Sequence, residues 1–300
     1  MSIISKILNN RKIKEYQPIS AVQQFNKKYI IECKSVQYEC HVSHILYAPV
    51  AVILELPKKN DVIFERNIFY NLTTSSSFNA SPISMKLCLM QEIQLLQNKV
   101  WLFEVTDVSF SLSIIDLFYL KRIYHHSKHK NVNFIENFDF NHYKKLVALF
   151  SKPKKVFLVS MINHNNHQNF PIDLCAEFSR YIVIGIRNTN NAAKGLMINS
   201  EFFISSVIAN KHKEIYSFGK FGSDIAQLDK AADENLPMNL ICDYKKVKVV
   251  QIIRLEFQTL FCNEILEYQS LKSNQESLYH LHKFWFLHSN NSLQFEFVQP

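Results

Sequence analysis

Glycine is nearly absent. Only Gly185, Gly195, Gly219 and Gly222 serve a chain of 300 residues, and all four lie in its second half. Phosphate loops of the GxxxxGK(S/T) and GxGxxG kinds need glycine for tight turns and close backbone approach, so both are excluded. Any phosphate must then be held by side chains and helix ends. Asparagine is plentiful, tolerates left-handed turns, and can stand in for glycine there. Long apolar runs are missing too, so no membrane-spanning helix is expected. The stretch from Met1 to Gln17 has too short an apolar segment for a secretory signal, which makes a cytoplasmic protein the expectation. There is no CxxC pair. Cys33, Cys40, Cys88, Cys175, Cys242 and Cys262 are widely spaced and read as small buried apolar residues, not as disulfides or zinc ligands. No HExxH occurs. His125 and His129 are spaced for one helix face, but without a third ligand nearby no metal site is expected.

What is present is ordinary globular material, with 47% hydrophobic and 20% charged residues, enough for one or two domains. The formal charge is +8, most of it in residues 1–150, and it is not gathered into a stripe. The basic spots at 58–66 and 125–130 read as solvated loops, so neither nucleic acid nor a membrane is an expected partner.

The first half carries strand signals. Val36, Tyr38, Cys40 and Val42 alternate, and "APVAVILELP" is a buried strand between prolines. "NLTTSSSFNASP" reads as a polar loop, and "VWLFEVTDVSFSLS" as a strand pair or one long bent strand. Ser113 and Asp116 have capping-box spacing ahead of a helix. "HHSKHKNVN" is the best linker candidate. This gives a strand-rich domain of unassigned type over 1–130, a diverged second barrel being one reading, and a second domain over 131–300.

The second half opens with a helix from Asp139 to Phe150, stopped by Pro153. Strands follow at "KKVFLVSMI", "RYIVIGI", "EFFISSVI", "KKVKVVQIIRLEF" and "TLFCNEILEYQS". A polar turn is expected at "NHNNHQN", a short helix at "AAKGLMI", and a loop feeding a helix at "SFGKFGSDIAQLDKAA". "SLYHLHKFWFLH" closes the pattern, with His280 and His282 alternating along a strand. These strands are too close in sequence for repeated helical crossovers. The fold class is therefore mainly β (α+β), an antiparallel barrel with helical insertions.

One segment draws attention as a candidate anion site. In "RNTNNAAKG", Arg187 can donate a bidentate fork, and Asn188, Thr189, Asn190 and Asn191 offer polar donors. Lys194 is expected in the first turn of the following helix, whose amide end favours anions. A capped surface turn explains the same residues equally well.

Taken in order, "VFLVSMI", "FPIDL" (Phe170 to Leu174), "IRNTNNAAKGLMINSEFFIS", "SFGKFGSD", "RLEFQTLFCNEILEY" and "LYHLHKFW" resemble the flavin reductase-like family over about residues 154–285. The resemblance implies an FMN-binding split β-barrel, hydride transfer between NAD(P)H and flavin, and a homodimer with its site at the subunit interface. It implies that Phe170, Pro171, Ile172, Asp173 and Leu174 run along the flavin ring edge, with Asp173 as a turn cap being the plainer alternative. Arg187, Asn188, Thr189, Asn190, Asn191 and Lys194 would hold the phosphate. Gly219 and Lys220 would close over ring or phosphate, and His282 would stand against the flavin. The chain departs from the family at Gln258, where many members carry histidine, and in its missing loop glycines. Those departures support a second reading, a split-barrel scaffold without flavin that serves as a binding module. No catalytic side chain is expected, because the cofactor does the chemistry.

Overall fold

The computed structural model describes residues 16–21, 29–56, 62–75, 82–95, 98–131, 138–163, 166–220, 236–271, 275–282, 285 and 296–297. A strand β1 (Tyr16–Ala21) is followed by β2 (Tyr29–Cys33), β3 (Val36–Tyr47), β4 (Val50–Glu55), β5 (Phe69–Ser75), β6 (Pro82–Leu95) and β7 (Asn98–Ser109). Two helices come next, α1 (Ile114–Asn131) and α2 (Phe140–Leu149). The second half runs β8 (Lys154–Lys155), β9 (Phe157–Asn163), β10 (Asn166–Ile172), β11 (Cys175–Phe178) and β12 (Tyr181–Arg187). It continues with α3 (Asn191–Gly195), β13 (Glu201–Val207) and α4 (His212–Lys220). It ends with β14 (Ile241–Arg254), β15 (Gln258–Ser270), β16 (Ser277–His282) and β17 (Glu296–Phe297).

Two compact units result. One takes in the described residues of 25–153 with 16–17 and 281–285, the other those of 18–24, 154–280 and 294–300. The expected boundary at 130/131 falls at the end of α1, and the chain passes from one unit to the other at Pro153 and Lys154.

The first unit is a closed antiparallel barrel in the order β2-β3-β4-β7-β6-β5, with β5 returning to β2 where Ile31 faces Leu72. Alternation in β3 and β6 turns Cys40, Val42, Met85 and Leu87 inward, while β4 is buried along Val50 to Leu54. Phe64 stands edge-on to Tyr70, Trp101 and Phe103 at 5.0–5.1 Å between ring centroids, a favoured aromatic geometry. The scarcity of glycine leaves its mark on the turns. Lys34 and Ser35 make the tight β2–β3 turn at φ 50° and 65°, and asparagine takes the left-handed region at Asn67 (65°) and Asn199 (68°).

Both helix starts follow the sequence signals. The Ser113 amide and hydroxyl donate to Asp116 at 3.1 and 2.7 Å, and the Asp116 amide donates back to the Ser113 hydroxyl at 3.2 Å. Asp139 caps α2 by accepting from the His142 amide at 2.7 Å. Helix α2 buries Tyr143 and Leu146 to Leu149. The Trp285 indole donates to the Val147 carbonyl at 2.6 Å.

Two expectations for this half are corrected. Asn71 to Ser75 is not loop but strand β5, because hydrogen bonding to β2 and β6 on both sides outweighs its polar composition. The linker candidate is helical as far as Asn131, continuing the capped α1, and His125 lies exposed on it. Residues 132–133 lie outside the described residues.

The second unit is a split barrel. Its antiparallel sheet runs β10-β9-β13-β14-β15-β12-β11 and curls without closing. The curl is visible in one ion pair: the Lys245 ammonium on β14 lies 3.0 Å from Glu177 on β11, although the two strands are not neighbours in the sheet. A small sheet, β17-β1-β16-β8, completes the unit. The core gathers Val156, Leu158, Val207, Ile215, Ile241 and Leu278, with Tyr216 and Phe218 of α4 packed against it. The expected polar turn is a hairpin in which β10 already pairs with β9 from Asn166 onward. The loop expected at Ser217 to Lys220 is the end of α4. The helix expected beyond it, near 224–232, and residues 283–288 apart from Trp285 lie outside the described residues.

Candidate functional site

The sites anticipated from sequence fall on 170–174 and 187–194, on the end of α4 and on β16. Phe170, Pro171 and Ile172 end β10, with the Phe170 and Ile172 side chains buried and Pro171 and Asp173 partly exposed. Leu174 is also buried, and its carbonyl accepts from the Gly185 amide at 3.0 Å, which joins the run to β12.

Arg187 is exposed at the end of β12, opposite Gln258 of β15. Asn188 behind it is committed to structure. Its amide donates to the Leu255 and Glu256 carbonyls at 2.8 and 2.9 Å, and its side-chain oxygen accepts from the Thr259 hydroxyl at 2.8 Å. It therefore ties the β14–β15 turn to the base of the loop. Asn190 caps α3 by accepting from the Ala192 amide at 2.9 Å. Thr189, Asn191 and Lys194 are exposed. Helix α3 is a single turn, and Lys194 is its fourth residue, beside the closing Gly195. The exposed set is therefore one guanidinium, one hydroxyl, one carboxamide and one ammonium. Met197 and Ile198 follow, 67% and 50% exposed.

Gly219 and Lys220 end α4. His282 is fully buried in the first unit, with Nε2 at 3.0 Å from the Tyr143 hydroxyl and its ring edge-on to Tyr143. There it serves packing.

The fold assembles one group of titratable side chains that sequence reasoning did not bring together. His280 Nδ1 donates to the Asp173 carboxylate at 3.1 Å, and His280 Nε2 is hydrogen-bonded to the Tyr216 hydroxyl. The Asp173 and His280 side chains are each 17% exposed, so solvent reaches the group. Lys154 lies directly across from His280 in the β8–β16 pairing, which puts both on one face. Desolvation pushes the Lys154 ammonium down to about 7 against the opposing pull of the Asp173 carboxylate. Burial, with the Asp173 charge added, raises the Tyr216 phenol well above its ordinary value and keeps it protonated. Asp173 and His280 lay in noted motifs, but nothing in sequence marked Tyr216 or Lys154.

All six cysteines are free, and four of them are buried. Burial pushes the Cys40 and Cys262 thiols up to about 12. Among the described residues no three His, Cys, Asp or Glu gather as a metal site, and no helix is long and apolar enough to cross a membrane.

A fold that is mainly β, with a closed barrel in one unit and a split barrel in the other, sets the context for comparison with known proteins. No protein-family model matches the chain, and neither does any curated protein. Solved structures similar to it are flavin reductases and FMN-binding split-barrel proteins. An NADH:FAD oxidoreductase of Streptomyces globisporus is 13% identical, with a TM-score of 0.38 over 48% of this chain and 92% of its own. An FMN-binding protein of Thermus thermophilus is 13% identical, with a TM-score of 0.36 over 44% of this chain and 83% of its own. Flavoredoxin of Methanosarcina acetivorans is 12% identical, with a TM-score of 0.35 over 40% of this chain and 69% of its own.

Proposed function

We propose that the split-barrel unit binds FMN and acts as a flavin reductase-like oxidoreductase, exchanging hydride between NAD(P)H and flavin. The observation that carries this reading is the turn after β12. Arg187 is exposed there on a backbone fixed by Asn188, and Thr189, Asn191 and Lys194 are exposed beside it. A phosphate dianion needs a planar cation and nearby donors, and this donor set fits it without glycine. Asn188 and Asn190 position the turn, and Arg187 makes the charge-assisted contact. The backbone of Pro171 to Leu174 offers polar groups for a ring edge. When bound, the flavin supplies the hydride chemistry, and the chain supplies position and electrostatics. Met197 and Ile198 offer apolar cover beside the cradle, which suits a site shared between two copies in a homodimer.

Replacing Arg187 with alanine is expected to weaken FMN binding by about 1.5–3 kcal/mol, read as a rise in Kd by fluorescence titration. An unchanged Kd would leave "RNTNNAAKG" as a capped surface turn. A second reading, a barrel that binds no flavin, is favoured by the commitment of Asn188 and Asn190 to internal hydrogen bonds. It predicts no NAD(P)H oxidation with FMN present, and observing that oxidation rules it out.

A further inference from the structure

The group around His280 has a chemistry separate from flavin binding. Asp173 orients the imidazole by accepting from Nδ1, so in the neutral ring Nε2 accepts the Tyr216 hydroxyl proton. That order, carboxylate to imidazole to hydroxyl, is a proton relay. Its hydroxyl end is a phenol that burial and the charge of Asp173 keep protonated, so it has a proton to give and is not itself a nucleophile. The nucleophile is the amine of Lys154, the residue directly opposite His280 in the β8–β16 pair, and that amine lies near enough to Asp173 to feel its charge. Desolvation keeps a large share of that amine unprotonated at neutral pH, as lysines that condense with carbonyls require. The Asp173 carboxylate disfavours anionic ligands, which leaves neutral aldehydes and ketones as the class that fits.

We propose that Lys154, served by the Tyr216–His280–Asp173 relay, is an imine-forming site for neutral carbonyl compounds. The amine lone pair attacks the carbonyl carbon, the carbon–oxygen π bond opens, and one nitrogen-bound proton passes to the oxygen to give the carbinolamine. The Tyr216 hydroxyl gives its proton to the carbinolamine oxygen, which leaves as water, and the second nitrogen-bound proton passes to His280 Nε2 and from there to the Tyr216 oxygen, restoring the phenol. Aldehyde and amine give imine and water, with no change of oxidation state.

The test uses the full chain with propanal and cyanoborohydride near pH 7, which reduces any imine to a stable secondary amine. Peptide mass spectrometry then gives the rate of labelling at each lysine. Lys154 should be labelled about tenfold or more faster than the exposed Lys213, because desolvation holds the Lys154 ammonium down and the relay supplies the proton. Tyr216→Phe and His280→Gln, checked for native circular dichroism, should slow labelling at Lys154 by about tenfold or more and leave Lys213 unchanged. Labelling of Lys154 no faster than Lys213 in the natural sequence overturns the proposal, whatever the variants do. Unchanged Lys154 rates in folded variants overturn the part played by the relay. Neither outcome depends on FMN binding, so this test and the flavin test fail separately.

Discussion

At the scale of single residues, the split barrel separates groups that hold structure from groups open to chemistry. Lys154 gives the clearest pH dependence. Its amine titrates near the ordinary 10.5 in the unfolded chain and at about 7 in the fold. Between those values the unfolded chain binds a proton that the folded chain does not, so stability rises with pH across this window. Below 7 both states are charged and the desolvation penalty is present in full. Urea unfolding between about pH 6.5 and about pH 8.5 should therefore show the natural chain gaining about 2 kcal/mol relative to Lys154→Met. A parallel pH response would place the Lys154 amine in solvent. Asn188 belongs to the other kind. Asn188→Ala removes three hydrogen bonds that fix the β14–β15 turn and should cost about 1–3 kcal/mol of unfolding free energy. A loss near zero in denaturant melts would free Asn188 for a ligand role.

At the scale of elements, what could be read from sequence depended on how local the signal was. Asp139 and Pro153 bounded α2, and the structure places the cap at Asp139 and the last turn at Leu149. Ser113 and Asp116 marked the start of α1 by a reciprocal pair of hydrogen bonds three residues apart. Asp139→Ala should destabilise the chain by about 1 kcal/mol, and loss of the His142 amide's protection from hydrogen exchange should report the same event. Strands β12 to β15 were legible because their apolar runs are bounded by turn residues. Strand β5 was not, since only pairing with β2 and β6 makes Asn71 to Ser75 extended. The turn after β12 was legible as a cation among amides. The division of labour within it was not, because Asn188 reaches residues 67 to 71 positions away.

At the scale of the whole molecule, an antiparallel, mainly β chain follows from strand spacing, while the type of the first domain does not, a diverged second barrel being one of its readings. The grouping of Asp173, Tyr216 and His280 could not be read in advance, because its members stand 64 and 107 positions apart and are carried by the end of β10, by α4 and by β16, which only the fold brings together. Glycine scarcity acts at this scale too. It removes glycine-rich phosphate loops from the entire chain, so the proposed phosphate contact falls to Arg187 and its neighbours. The most direct measurement is therefore a titration of the natural chain with FMN, followed by visible absorption and flavin fluorescence. The account predicts a saturable change at micromolar protein, weakened in Arg187→Ala. The absence of any spectral change at those concentrations would contradict it.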